Sequence, residues 1–200
     1  MSQRPTSIVL ALLVGLCSAS ISRAQNGVQV PAQQRELTRI LSKYNDLHES
    51  APNDIQRDKI DLEFRKEFCA AIPRGEVSGW IGEIDSIDNN SPDKGIRLSL
   101  GVHTQDLSSG GLGVELSLGN YYAYGVDEKN TQPHGPTVIP VNSPLYNTVS
   151  MFRSGDTVIF SGTFIPYSSQ QACYDSISYA TYFSIFRFST IRKIGWGITF

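Results

Sequence analysis

The chain has 200 residues, of which 18% are charged and 40% hydrophobic, with seventeen glycines and ten prolines. That balance describes one turn-rich globular domain of ordinary size and excludes an intrinsically disordered chain. The formal net charge of −2 offers none of the positive excess from which polyanion binding draws its affinity.

The N-terminus reads as a targeting segment. Arg4 precedes a nine-residue apolar run at 8–16 (IVLALLVGL), and Ser22-Arg23-Ala24 supplies a small-x-small cleavage site before Gln25. Nine apolar residues are too few to span a bilayer but suit a secretory signal peptide, assigned to residues 1–24. Cleavage after Ala19 is the alternative. Cys17 stands where a bacterial lipoprotein carries its acylated cysteine, but Leu16 before it is larger than a lipobox accepts, which disfavours lipidation. Removing residues 1–24 leaves 15 basic residues against 19 acidic, a net charge of −4. It also leaves only Cys69 and Cys173, an even pair that in an exported protein predicts one disulfide; two free buried thiols are the alternative. The expected location is the periplasm or the exterior, with no transmembrane segment after the signal.

Residues 25–72 predict a helical hairpin. Leu37, Ile40, Leu41, Tyr44 and Leu47 recur at helical spacing. Ser50-Ala51-Pro52 interrupts the pattern, and Asn53 with Gln56 three residues on forms a capping box for a second helix. In that helix Ile55, Leu62 and Cys69 stand seven apart and are expected to share the inward face. Phe64 and Phe68 also demand burial, and the charges of 63–67 read as the solvated side.

After Pro73-Arg74-Gly75 the period changes to two, opening a β domain over 73–200. Residues 77–87 form a first strand, with Gly79 and Gly82 inside it marking a bulge or sharp bend. The turn cluster at 88–95 leads to a second strand, in which Ile96, Leu98, Leu100 and Val102 alternate with polar or small residues. Leu112, Val114, Leu116 and Leu118 alternate in the same way in a third. One helix follows, capped by Ser143, started by Pro144 and ended by Gly155, with Leu145, Val149 and Phe152 on one side. Strands at 157–165 and 182–194 come last. Five strands, the first bent, with a helix between the third and fourth, match the five-stranded Greek-key barrel of the OB fold, whose closure removes unpaired edges.

Several segments carry a family resemblance. Gly79-Trp80-Ile81-Gly82-Glu83-Ile84, the run Ser143-Pro144-Leu145-Tyr146-Asn147, the stretch 154–164 (SGDTVIFSGTF) and Ile185-Phe186-Arg187-Phe188-Ser189 resemble bacterial exported OB-fold proteins of the tRNA-anticodon-like type. The resemblance covers residues 70–194. It implies the barrel fold and carries over no catalytic residue and no tRNA ligand.

Specific chemistry is harder to find. His48, His103 and His134 are scattered without metal-ligand spacing. Ser161 lacks the flanking glycine of a nucleophile elbow. The oxygen-rich loop with Asp88, Asn90 and Asp93 has Pro92 where a calcium loop needs a ligand. No metal, cofactor or catalytic set is therefore assigned. Aromatics suited to stacking are plentiful, yet residues 73–200 hold 8 basic against 11 acidic residues, which disfavours single-stranded nucleic acid. Ile194, Trp196, Ile198 and Phe200 alternate like the last strand of an outer-membrane barrel, but five strands fall short of the eight such barrels require. The expectation is a non-enzymatic module that binds an envelope protein or a small ligand. Its candidate face holds Trp80, Arg97, Tyr121, Tyr122, Tyr124 and Arg187, framed by the loops at 88–95 and 166–178.

Overall fold

The computed structural model describes residues 29–88, 95–103, 115–120, 138–165, 173–174 and 183–194. Residues 1–24, expected to be a signal peptide, lie outside them, as do Tyr121, Tyr122, Tyr124, His134, the C-terminal tail and most of both framing loops.

Two helices, α1 (Ala32–Glu49) and α2 (Asp54–Ala71), precede five strands: β1 (Glu76–Asp88), β2 (Arg97–His103), β3 (Glu115–Gly119), β4 (Thr157–Phe164) and β5 (Phe183–Lys193). A short helix, α3 (Pro144–Val149), lies between β3 and β4. The strands close in the order β1-β2-β3-β5-β4, with β4 returning to β1. All neighbours are antiparallel except β3 and β5, which run parallel over three residues. This is the OB topology expected from the strand order.

Local chemistry sets the element ends. Asn53 accepts a hydrogen bond from the Gln56 amide at the start of α2. Ser143 accepts one from the Tyr146 amide, with Pro144 in the first turn of α3. β1 serves both neighbours because it bends twice: its register shifts between Val77 and Trp80 against β4, and between Ile84 and Ser86 against β2. Gly79, in the first bulge, has φ +67°, a conformation that side chains resist. Its amide donates to Ser161 Oγ at 3.1 Å, so Ser161 completes the seam between the strands.

The core is continuous from hairpin to barrel. Edge-to-face contacts link Tyr44, Phe64 and Phe68 to Phe164, then to Trp80, Phe160, Phe186 and Phe188, at centroid separations of 4.9–6.4 Å. Cys69 and Cys173 form the expected disulfide, with Cα atoms 5.8 Å apart. Next to it the Tyr174 hydroxyl donates to the Ile72 carbonyl, and the Tyr174 ring lies against Phe68 and Phe164.

The expected inward face of α2 is corrected. Ile55 is 69% exposed and Leu62 53% exposed, whereas Phe64 and Phe68 are buried. The two aromatic rings remove more apolar area from water than the aliphatic stripe would, so the helix turns them inward. Cys69 is half-buried beside Phe68, where Cys173 reaches it. On α1, Leu37, Ile40, Leu41 and Tyr44 are buried as expected, but Leu47 is exposed.

α1 also repairs a gap in the sheet. β2 pairs with β1 only from Glu83 onward, so among the described residues Ile81 has a strand on one side alone. The buried Gln34 amide fills the other side, accepting from the Ile81 N–H at 2.8 Å and donating to its carbonyl at 2.7 Å. Gln34→Met keeps the volume and strands both backbone groups, so a loss of about 1–3 kcal/mol is expected. Urea unfolding measures it; an unchanged midpoint would show that the amide pairing is dispensable.

Candidate binding face

Leu98, Leu100 and Val102 of β2 and Leu116 and Leu118 of β3 point into the barrel and are essentially fully buried. Alternation therefore turns Arg97, Ser99, Gly101 and His103, with Glu115 and Ser117, to the outside. The register sets Gly101 between Glu83 and Ser117, and His103 opposite Glu115. Asp85 is the extra residue of the second β1 bulge, and a bulge re-aims its side chain. Here Asp85 is brought over β2 and β3.

The result is a polar network across three strands. Ser99 Oγ donates to Asp85 Oδ2 at 3.2 Å, and Ser117 Oγ donates to the same oxygen at 3.3 Å. His103 Nδ1 lies 3.5 Å from Glu115 Oε2. Gly101 forms the floor: a Cβ there would stand 2.7 Å from Glu115 Oε1 and 3.1 Å from Asp85 Oδ1. Only a residue without a side chain lets both carboxylates settle over the strand. Burial, and next the negative charge of Asp85, push the Glu115 carboxyl above its ordinary range; Glu83 adds to the rise and His103 opposes it. The face presents hydrogen-bond acceptors and negative charge, which suit a cationic or donor-rich partner. Among the described residues no group of three or more His, Cys, Asp or Glu is arranged to hold a metal ion.

Of the sequence-predicted face residues, Tyr121, Tyr122 and Tyr124 lie outside the described residues, and the three described ones, Trp80, Arg97 and Arg187, do not share one surface. Trp80 is 0% exposed within the core, because the closed barrel turns its ring inward, and its indole N–H has no hydrogen-bond partner among the described residues. It presents nothing to an external partner. Arg97 is half-buried at the start of β2, opposite Asp88 and on the same outward row as Ser99 and His103. Arg187 is exposed on β5 opposite Thr163, on strands outside the carboxylate network. Glu83, Asp85, Ser99, Glu115 and Ser117 were not singled out from the sequence, and His103 stood there only as one of three scattered histidines. The period-2 pattern of β2 and β3 held the signal for four of these six.

Comparison of the chain with protein-family models, curated proteins and solved structures finds no significant match.

Proposed function

We propose that this protein is an exported, non-enzymatic binding module that holds a positively charged segment of another envelope protein on its β1–β3 face. The observation that carries the reading is the placement of the Asp85 and Glu115 carboxylates over Gly101, with Glu83 opposite Gly101 in the register and its charge felt at Glu115. OB barrels use the side of strands 2 and 3 for recognition, though a fold alone does not fix a function, so the charge of this face supplies the partner's chemistry. Three carboxylates repel a polyanion and attract Lys or Arg, which sets the reading apart from the single-stranded nucleic-acid binding that other OB barrels perform. The disulfide fits an oxidising compartment, as does the signal-like N-terminus. No helix among the described residues is long and apolar enough to cross a membrane.

Calorimetric titration with an oligolysine peptide at low salt tests this. Binding is expected, weakening as salt rises, and is expected to vanish in the Glu83→Gln, Asp85→Asn, Glu115→Gln triple variant with the fold retained. Equal binding of an oligoglutamate peptide, or full binding by the triple variant, would reject the reading. Retention of single-stranded DNA at low salt would favour nucleic acid instead.

A further inference from the structure

The first turn of α1 is weakly held by its own sequence. The opening amides of a helix need partners from outside it, and the cap position here is Pro31, whose side chain accepts no hydrogen bond. No acidic residue stands in this turn, while Arg35 brings positive charge to the positive end of the helix dipole. Its guanidinium turns back to the Val30 carbonyl. Across residues 29–36 Gln34 is the one buried side chain. Firm anchoring begins with the next residue, since Leu37, Ile40, Leu41 and Tyr44 lie in the core.

This same turn closes the β1 edge. Gln34 takes both backbone groups of Ile81, and Gln33 Nε2 reaches the Glu76 carbonyl at 3.4 Å. β4 pairs with β1 from Glu76 onward, but β2 joins only at Glu83. Among the described residues, the two glutamines therefore stand in for a strand beside the first half of β1. Parting them from it uncovers little apolar surface, whereas freeing any later part of the hairpin would bare Leu37 and the aromatic rings. Segments with few buried apolar contacts are the ones that open locally. We propose that the first turn of α1 is a strap, which opens as far as Leu37 and uncovers the β1 edge at Ile81 while hairpin and barrel stay packed. The open form presents an unpaired N–H and C=O on a strand edge, which barrel closure otherwise removes. Access to that edge is then set by α1. The strap rests on backbone pairing and is independent of the charge on the β1–β3 face.

Native-state hydrogen exchange of the full oxidised chain, followed across low concentrations of urea, decides the matter. Ile84 is the internal reference: it lies on the same strand, is fully buried, and its amide donates to the Asp156 carbonyl at 3.0 Å. Ile81 is expected to be protected about tenfold or more below Ile84, as local opening requires. Its exchange is expected to be nearly independent of urea, because the opening exposes little surface, while Ile84 follows the steep slope of global unfolding. Pro31→Asp supplies the missing cap and is expected to slow Ile81 about fivefold, the effect of an ordinary cap, with its shallow slope retained. Ile81 sharing the urea slope of Ile84, or an Ile81 rate untouched by Pro31→Asp in a folded chain, would overturn the proposal. Should Pro31→Asp not fold, the two slopes of the parent chain decide alone.

Discussion

Replacing Phe68 by alanine is expected to be the most damaging single change in the helical pair, costing about 3–5 kcal/mol. Phe68 is fully buried and stands where three groups meet: Phe64 on its own helix at 5.7 Å, Phe164 at the end of β4 at 5.5 Å, and Tyr174 beside the disulfide at 6.2 Å. Its ring is held by two elements and by a tethered connection, so the surroundings cannot collapse into the space it leaves, and the cavity term adds to the lost transfer energy. For a chain of this size the melting temperature should fall by about 6–20 °C, at roughly 2–4 °C per kcal/mol. Leu62→Ala is the control. Leu62 faces solvent, and a surface change of this kind stays within about 0.5 kcal/mol. Equal losses at the two positions would reverse the orientation of α2.

The second large effect concerns the disulfide. Cys69 and Cys173 are separated by 104 residues, and closing a loop of this order restricts the unfolded chain by about 4.7 kcal/mol in the entropy model, with native disulfides usually worth about 2–5. The Cys69→Ala, Cys173→Ala double variant should lose a sum in that range yet keep its fold. Among the described residues neither cysteine takes part in a strand pairing, and Tyr174 still holds Ile72, Phe68 and Phe164. In urea the midpoint should drop while the slope rises slightly, because the unlinked unfolded chain exposes more surface. Reducing the parent chain should reproduce the shift. A midpoint indifferent to both treatments would show that the bond adds nothing to stability.

Much of the architecture could be read in advance because single residues with strong local preferences sit at the junctions. Ser143 and Pro144 start α3, although the helix ends at Val149 with Ser150 as its cap and not at Gly155 as expected, which leaves Phe152 beyond it; Gly79 marks the first bend of β1; alternation in β2 and β3 gives both their existence and their inward rows. The inward face of α2 was not legible, since its aliphatic heptad and its aromatic pair point to different sides and only the barrel decides between them. Trp80 misled for a related reason. Trp80 and Ile81 are both buried, one inside the barrel and the other on the side where α1 contributes Gln34, so parity along β1 could not say which residue faces outward. Asp85 escaped notice because a bulge breaks the very alternation by which faces are assigned from sequence. The carboxylate face thus depends on a register shift that only the paired strands reveal.

The Gln34 amide has a wider bearing. By occupying the position of a missing neighbour beside Ile81, it makes the N-terminal hairpin a participant in the sheet's own ladder. The boundary near residue 73 therefore separates two kinds of secondary structure without separating two cooperative units. Excision of the barrel would bare a raw edge and an aromatic seat together, and the hairpin alone would have nowhere to place Phe68.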